Sequence, residues 1–301
     1  MPSCEGRTAS RSDPTQAPVP SSLAPHRDYG HDPVRALRYL WRVPMLLVHL
    51  VVVLPATLLL MLSPWSDARV NDRERLREAA VRSWQRNLLR VFGMRVEAQG
   101  TPAPGAVLMV ANHFSWLDIT LMHSQRMMHF VAKNEIADWP FVGMLAARAG
   151  TLFHRRGSAE SLDSVQGQMV EALRRGAAVG VFPEGSAGRA DQVRVFHARI
   201  LQPAVLTGAP VQPVALRFVR DGRLAIDIAF RKGEKFLPCF FRVLGAAPST
   251  AQVMFLEPLT DHAQGRRRLA NAARAAIIDA LGFAHENPTV ARRNAFEEAS
   301  A

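Results

Sequence analysis

Residues Ala106 to Asp118 read AVLMVANHFSWLD. Six apolar residues run without interruption into Asn112-His113, and a Ser-x-x-Asp stretch follows. An unbroken apolar run of this length closed by polar residues is the pattern of a strand buried on both faces. Asn, Ser and Asp after it favour a helix start. A strand end leading into a helix start is where open α/β sheets place their ligands. Further short apolar runs predict strands at Thr151–Phe153, Ala177–Phe182, Val211–Leu216, Leu224–Ile228 and Gln252–Phe255, with another at His129–Ala132. Between them Leu162, Val165, Met169 and Leu173 recur at helical spacing over Ser161–Arg175, with Gly176 as the stop. Residues 263–282 predict a closing helix. The alternation argues for an α/β fold, a mixed and largely parallel sheet flanked by helices.

The 301 residues are 48% hydrophobic and 21% charged, which allows a sizeable core and excludes global disorder. Two cysteines, Cys4 and Cys239, exclude a disulfide scaffold and a Cys-rich zinc module. The net charge is +11, and of 37 basic residues only Lys133, Lys232 and Lys235 are lysines. Such an arginine excess suits anionic surfaces, or follows from codon usage. An aromatic content of 7% weighs against a nucleic-acid binder, and no nucleic-acid partner is expected.

Residues 1–33 are rich in Pro, Ser and Arg without an apolar period, and are expected to form a disordered tail. They contain no apolar stretch of a secretory signal. Residues 34–66 are expected to be a membrane-embedded helical segment. Within them Val43–Leu62 is twenty residues without a formal charge, the length that crosses a bilayer. Arginines flank it on both sides, at 35, 38 and 42 and again at 69, 73, 75 and 77. The positive-inside bias places both flanks in the cytoplasm, so a hairpin kinked at Pro55 fits better than a single span. Residues 67–95 predict a basic amphipathic helix, with Leu76, Ala80, Trp84, Leu88 and Phe92 on its apolar face. It either lies on anionic headgroups or packs on the main domain. Residues 284–301 read as a flexible polar tail.

His113 can serve as a base near neutral pH. Asp118, five residues on and in the first helical turn, can reach back to the imidazole, fix its tautomer and stabilise its cation. No serine nucleophile is needed if the substrate brings its own hydroxyl. H-E-x-x-H, G-x-S-x-G, the P-loop and the dinucleotide fingerprint are all absent.

NHFSWLD resembles the H-x4-D signature of the glycerolipid acyltransferases, the lysophosphatidic acid acyltransferase family. Three more blocks follow in that family's order: Lys133-Asn134-Glu135-Ile136 with Pro140, Gly143, Gly150, Phe153 and Arg156; Phe182-Pro183-Glu184-Gly185-Ser186; and Val211-Gln212-Pro213-Val214-Ala215-Leu216. The resemblance spans about residues 96–260 and implies an acyltransferase domain over 96–283. It implies transfer of a fatty acyl group from acyl-CoA or acyl carrier protein to the hydroxyl of 1-acyl-sn-glycerol-3-phosphate, giving phosphatidic acid, with no metal and no bound cofactor. His113 would be the general base and Asp118 its orienting partner. Lys133, Arg156 and the Phe182–Ser186 turn would bind the acceptor, the guanidinium and backbone N–H groups meeting its phosphate. Glu184 fits beside an anion only if it binds a hydroxyl or orients an arginine. Val211, Pro213 and Val214 would line the acyl region, and backbone N–H groups of the His113 turn would hold the oxyanion. The expected setting is the cytoplasmic face of a bacterial inner membrane.

Ser186 stands where the family usually has Thr. Ala187-Gly188 replace the arginine often found next, Phe196-His197-Ala198-Arg199 replaces Phe-Lys-x-Gly, and Arg155 takes a position that is commonly acidic. These changes leave the reaction type intact and open the headgroup, so another lyso-lipid such as lyso-ornithine lipid is the alternative acceptor. A non-catalytic membrane-binding protein on the same fold is the alternative of another class, opposed by the intact His113 and Asp118.

Overall fold

A computed structural model of the chain describes residues 32–71, 74–134, 150–154 and 159–283. The chain enters through α1 (Arg35–Val48), a five-residue π turn (His49–Val53) and α2 (Leu54–Leu62), which together form one continuous helix. A short ribbon of β1 (Arg69–Asn71) and β2 (Glu74–Arg75) leads into α3 (Leu76–Val91). The sheet is then built from β3 (Met94–Gln99), β4 (Val107–Ala111), β5 (His129–Lys133), β6 (Leu152–His154), β7 (Ala178–Val181), β8 (Val211–Arg220), β9 (Arg223–Leu224) and β10 (Ser249–Phe255). Helices α4 (Leu117–His123), α5 (Ala159–Arg174), α6 (Gln202–Thr207), α7 (Phe236–Leu244) and α8 (Gly265–Leu281) lie between and after them.

The strand order is β3-β10-β8-β4-β7-β5-β6, with β9 paired to β8. β10 and β9 run antiparallel to β8, and every other pairing in this sheet is parallel. β4 is central and fully buried, and its side chains alternate between two cores. Val107, Met109 and Ala111 join Leu89, Phe92, Leu117 and Val243 on one face. Leu108 and Val110 join Met169, Leu201, Ala273 and Ile277 on the other. The period of two in a strand thus divides the helices into two layers: α1, α3, α4 and α7 on the first face, α5, α6 and α8 on the second.

The expected strand at Leu224–Ile228 is replaced by the two-residue β9 and a 3-10 turn at Ile226–Ile228. The Ile228 carbonyl is taken by the Ser115 hydroxyl at 3.0 Å and the Phe230 N–H by the Phe114 carbonyl at 3.1 Å, which draws this segment onto the loop after β4 instead of along β8.

The hairpin expected at Pro55 does not form. Proline removes one helix N–H, and the π turn just before it absorbs the loss: the Leu54 N–H bonds back five residues to the His49 carbonyl. The same turn keeps one face inward, since the buried residues step from Arg42, Leu46 and His49 to Leu54. The helix runs 28 residues, about 42 Å at ~1.5 Å per residue. The chain returns along α3, where His49 stacks on Trp84 at 5.2 Å.

The arginines ahead of the apolar run are fasteners. Buried Arg42 donates to the Leu244 carbonyl at 2.7 Å and the Ala246 carbonyl at 2.8 Å, and Arg38 pairs with Asp32 and donates to the Gly245 carbonyl at 3.2 Å. For α3, the alternative of packing on the main domain is the one realised. Val81, Leu88 and Leu89 are buried, Arg82 pairs with Glu74 at 2.6 Å, and Arg86 donates to the Ser124 carbonyl at 2.9 Å. On the opposite side of the long helix Leu40, Trp41, Leu47, Val48, Val51 and Leu59 stand exposed.

Candidate active site

The site lies at the carboxyl ends of the neighbouring parallel strands β4 and β7, the position that open parallel sheets reserve for ligands. Asn112, the first residue past β4, donates to the Leu216 carbonyl at 2.9 Å and accepts the Leu216 N–H at 2.8 Å. This two-way bond extends the β4–β8 pairing by one step and fixes the backbone that carries His113.

His113 Nδ1 lies 2.9 Å from Asp118 Oδ2. The same oxygen accepts the N–H groups of Phe114 and Ser115, each at 2.8 Å. The carboxylate therefore performs two tasks, closing the turn into α4 and gripping the imidazole. Asp118 is wholly buried, whereas the His113 side chain is 17% exposed, so the pair presents only the imidazole to a substrate. A carboxylate can only accept, so the shared proton sits on Nδ1 and the lone pair on Nε2. The ring also stacks on Phe182 at 4.1 Å and 19°, and Phe182 stacks in turn on Phe130 at 5.5 Å. Phe182, expected at the acceptor, lies flat against the imidazole.

Glu184 follows β7 and is buried. Its Oε1 accepts the His113 N–H at 3.0 Å. Burial pushes its carboxyl up to about 7, and the His113 N–H and the Arg194 charge offset only part of that. Arg194 Nε lies 3.3 Å from Glu184 Oε2, and its Nη2 donates to the Ser186 hydroxyl at 2.9 Å and to the Ser186 carbonyl. Gly185 between them has φ +77°, and a Cβ there would sit 3.3 Å from the His197 ring; glycine is the residue that takes this backbone freely. The Pro183 carbonyl accepts the His197 N–H at 2.8 Å, and the His113 carbonyl accepts the Gly188 N–H at 2.8 Å. The turn is therefore sewn to the His113 loop by backbone and side chain together.

Arg194 is the residue that sequence reasoning missed. The acidic Glu184 called for a cation, but Arg194 reaches it across ten residues that include no regular element, and no periodicity marks such a pair. Arg189, the first arginine after Ala187-Gly188, is bound to Asp191 at 2.6 and 2.9 Å. The expected oxyanion donors are also spent: the N–H of His113 is on Glu184, and those of Phe114 and Ser115 are on Asp118. Ser115 Oγ is bonded to the Ile228 carbonyl and the Leu117 N–H.

Lys133 ends β5, in register with His154 of β6. Arg156 lies outside the described residues, as do most of the second block, residues 1–31 of the first expected tail and all of the second. Val211, Pro213 and Val214 are buried in β8, opposite Leu108, Val110 and Ala111 of β4. Val211 faces the α8 core and Val214 the α4 core, so only Val214 points to the face that carries His113.

Comparison with known proteins matches residues 93–217 to the family model described as Acyltransferase. The lyso-ornithine lipid O-acyltransferase of Pseudomonas aeruginosa is 35% identical over 220 residues, which are 73% of this chain and 84% of that protein. The 1-acyl-sn-glycerol-3-phosphate acyltransferase of Neisseria meningitidis is 33% identical over 199 residues, covering 64% of this chain and 76% of that protein. The crystal structure of the 1-acyl-sn-glycerophosphate (LPA) acyltransferase of Thermotoga maritima aligns with a TM-score of 0.58 at 20% identity, over 84% of this chain and all of that one, and shares the fold. With a family model over the central sheet and relatives of this identity along most of their length, the chain belongs to the glycerolipid acyltransferase family and is an acyltransferase.

Proposed function

We propose that the protein transfers a fatty acyl group from acyl-CoA or acyl carrier protein to the free hydroxyl of a lyso-lipid, with His113 as general base and Asp118 as its orienting partner. The observation that carries this is the His113–Asp118 contact of 2.9 Å at the carboxyl end of β4; a carboxylate that accepts from Nδ1–H leaves the lone pair on Nε2. In this reading the acceptor hydroxyl donates to Nε2 and its oxygen attacks the thioester carbonyl as the proton passes to His113. Buried Asp118 stabilises the imidazolium. The tetrahedral intermediate collapses, the C–S bond breaks, and the thiolate leaves with the proton from His113. Ser115 takes no part, since its hydroxyl donates to the Ile228 carbonyl, whereas Ser186 Oγ accepts from Arg194 and keeps its O–H for the acceptor. Phe182 and Glu184 act as positioning residues for His113. Oxyanion stabilisation comes from donors other than the N–H groups of residues 113–115.

For the acceptor, lyso-ornithine lipid is the first reading. The likeness to the Pseudomonas protein supports it, and so does the charge balance of the turn. Glu184 is paired with Arg194 and Asp191 with Arg189, which leaves that turn nearly neutral and suits a headgroup carrying both a carboxylate and an amine. 1-Acyl-sn-glycerol-3-phosphate is the second reading, supported by the likeness to the Neisseria protein and by the place of Arg156 in the second block. The setting we propose is monotopic attachment to the cytoplasmic face of a bacterial inner membrane, because the long helix packs on the domain along one face and exposes apolar residues on the other. Competition between the two acceptors in one reaction tests the order: a larger kcat/KM for lyso-ornithine lipid supports it, and a larger value for the phosphate lipid reverses it.

A further inference from the structure

We infer that α7, a helix of the catalytic domain, is a second membrane-inserted element that holds the His113 loop against the bilayer. Its inner face is core: Cys239, Val243 and Leu244 are fully buried. Its outer face is apolar and open, with Leu237 63% and Phe241 52% exposed. These two are four residues apart and so lie on one side of the helix. Exposed Lys232 and Lys235 stand just before its first turn, and two of the chain's three lysines are thereby placed where a bilayer's anionic headgroups would meet them.

The occupant is a lipid surface because this face continues the apolar face of the long helix. Tyr39 Oη donates to the Phe241 carbonyl at 2.7 Å, and Arg42 binds the carbonyls of Leu244 and Ala246 just beyond. The turns of α1 that carry exposed Leu37, Leu40 and Trp41 are thereby tied to the carboxyl end of α7. A helix of bilayer length that carries α7 strapped to its first turns cannot enter lipid without bringing that helix to the same surface.

The consequence reaches the chemistry. Trp116, three residues from His113, stacks on Phe240 at 5.4 Å and meets Phe236 edge-on at 5.8 Å. Phe240 packs against Phe241 at 5.6 Å. An aromatic chain thus runs from the lipid-facing side of α7 to the catalytic loop, and an acceptor embedded in the bilayer meets the base without leaving it. This inference rests on the membrane-bound acyltransferase reading above, but its test reads immersion and not turnover, so the two can fail separately.

The test is site-specific fluorescence on the full chain in a Cys4→Ser background, with Cys239 left in its buried position. Single variants Leu237→Cys and Phe241→Cys, each labelled with an environment-sensitive dye, are mixed with phosphatidylethanolamine–phosphatidylglycerol vesicles carrying nitroxide-labelled acyl chains. Leu47→Cys on the long helix marks the lipid-immersed signal. Asn271→Cys on α8, on the opposite face of the sheet, marks the aqueous one. We expect positions 237 and 241 to shift to blue and to be quenched as position 47 is. Signals at both positions matching 271, whatever position 47 does, overturn the inference.

Discussion

Removing the carboxylate of Asp118 without changing its shape separates its two tasks. In Asp118→Asn the amide oxygen can still accept the Phe114 and Ser115 N–H groups, but the bonds are no longer charge-assisted, a loss of about 1 kcal/mol each. Among the described residues Asp118 Oδ1 is buried and has no hydrogen-bond partner. An amide NH2 placed there is a buried donor with nothing to receive it, which costs about 1–3 kcal/mol more. The variant should therefore lose roughly 3–5 kcal/mol of stability and, with the imidazolium unsupported, about 10²–10⁴-fold in kcat. His113→Ala should lose activity to a similar degree with little loss of stability, since the two N–H bonds to Asp118 remain. Thermal unfolding in detergent micelles and steady-state kinetics on the folded variants read the two effects. A folded Asp118→Asn enzyme with kcat within tenfold of the parent would refute the coupling of turn and base.

Glu184 sets a pH dependence. Its folded carboxyl titrates at about 7 against an ordinary value of 4.5, so the unfolded chain loses the proton first as pH rises. Stability should fall between about pH 4.5 and 7, by roughly 3 kcal/mol, and stay flat outside that window; unfolding of Glu184→Gln should lack this slope. Arg194→Ala should destabilise by about 1–3 kcal/mol through the carboxylate it leaves behind, and a double-mutant cycle with Glu184→Gln should recover part of that loss. Additive effects would exclude the pairing. Arg42→Met should strip the Leu244 and Ala246 carbonyls of their buried donor and loosen the long helix, seen as faster proteolysis between residues 32 and 48; unchanged cleavage would show that the arginine is no fastener.

The central sheet was legible because its apolar runs are short, bounded and buried on both faces, as in Val107–Ala111 and Ala178–Val181. β3 was not, because Met94–Gln99 is an edge strand that alternates apolar and polar residues and carries no such run. α7 escaped notice because Pro238 looks like a breaker, yet it sits in the first turn, where helix N–H groups have no intrahelical partner. Pro55 misled in the same way, since a π turn absorbed the missing donor. The His113–Asp118 geometry followed from a spacing of five across a turn. The Glu184–Arg194 pair and the Asn112 clasp did not, because both join residues across irregular chain or between strands, where local pattern carries no information.

Direct attack by a His113-activated hydroxyl is the core of this account, and it predicts that the thioester is not cleaved until the acceptor is present. The measurement is rapid-mixing thiol release from acyl-CoA by the purified protein, with and without lyso-lipid, alongside His113→Ala. Direct attack gives no burst without acceptor, equal amounts of thiol and diacyl lipid with it, and neither from the variant. A stoichiometric burst in the absence of acceptor, or near-normal release by folded His113→Ala, would contradict it.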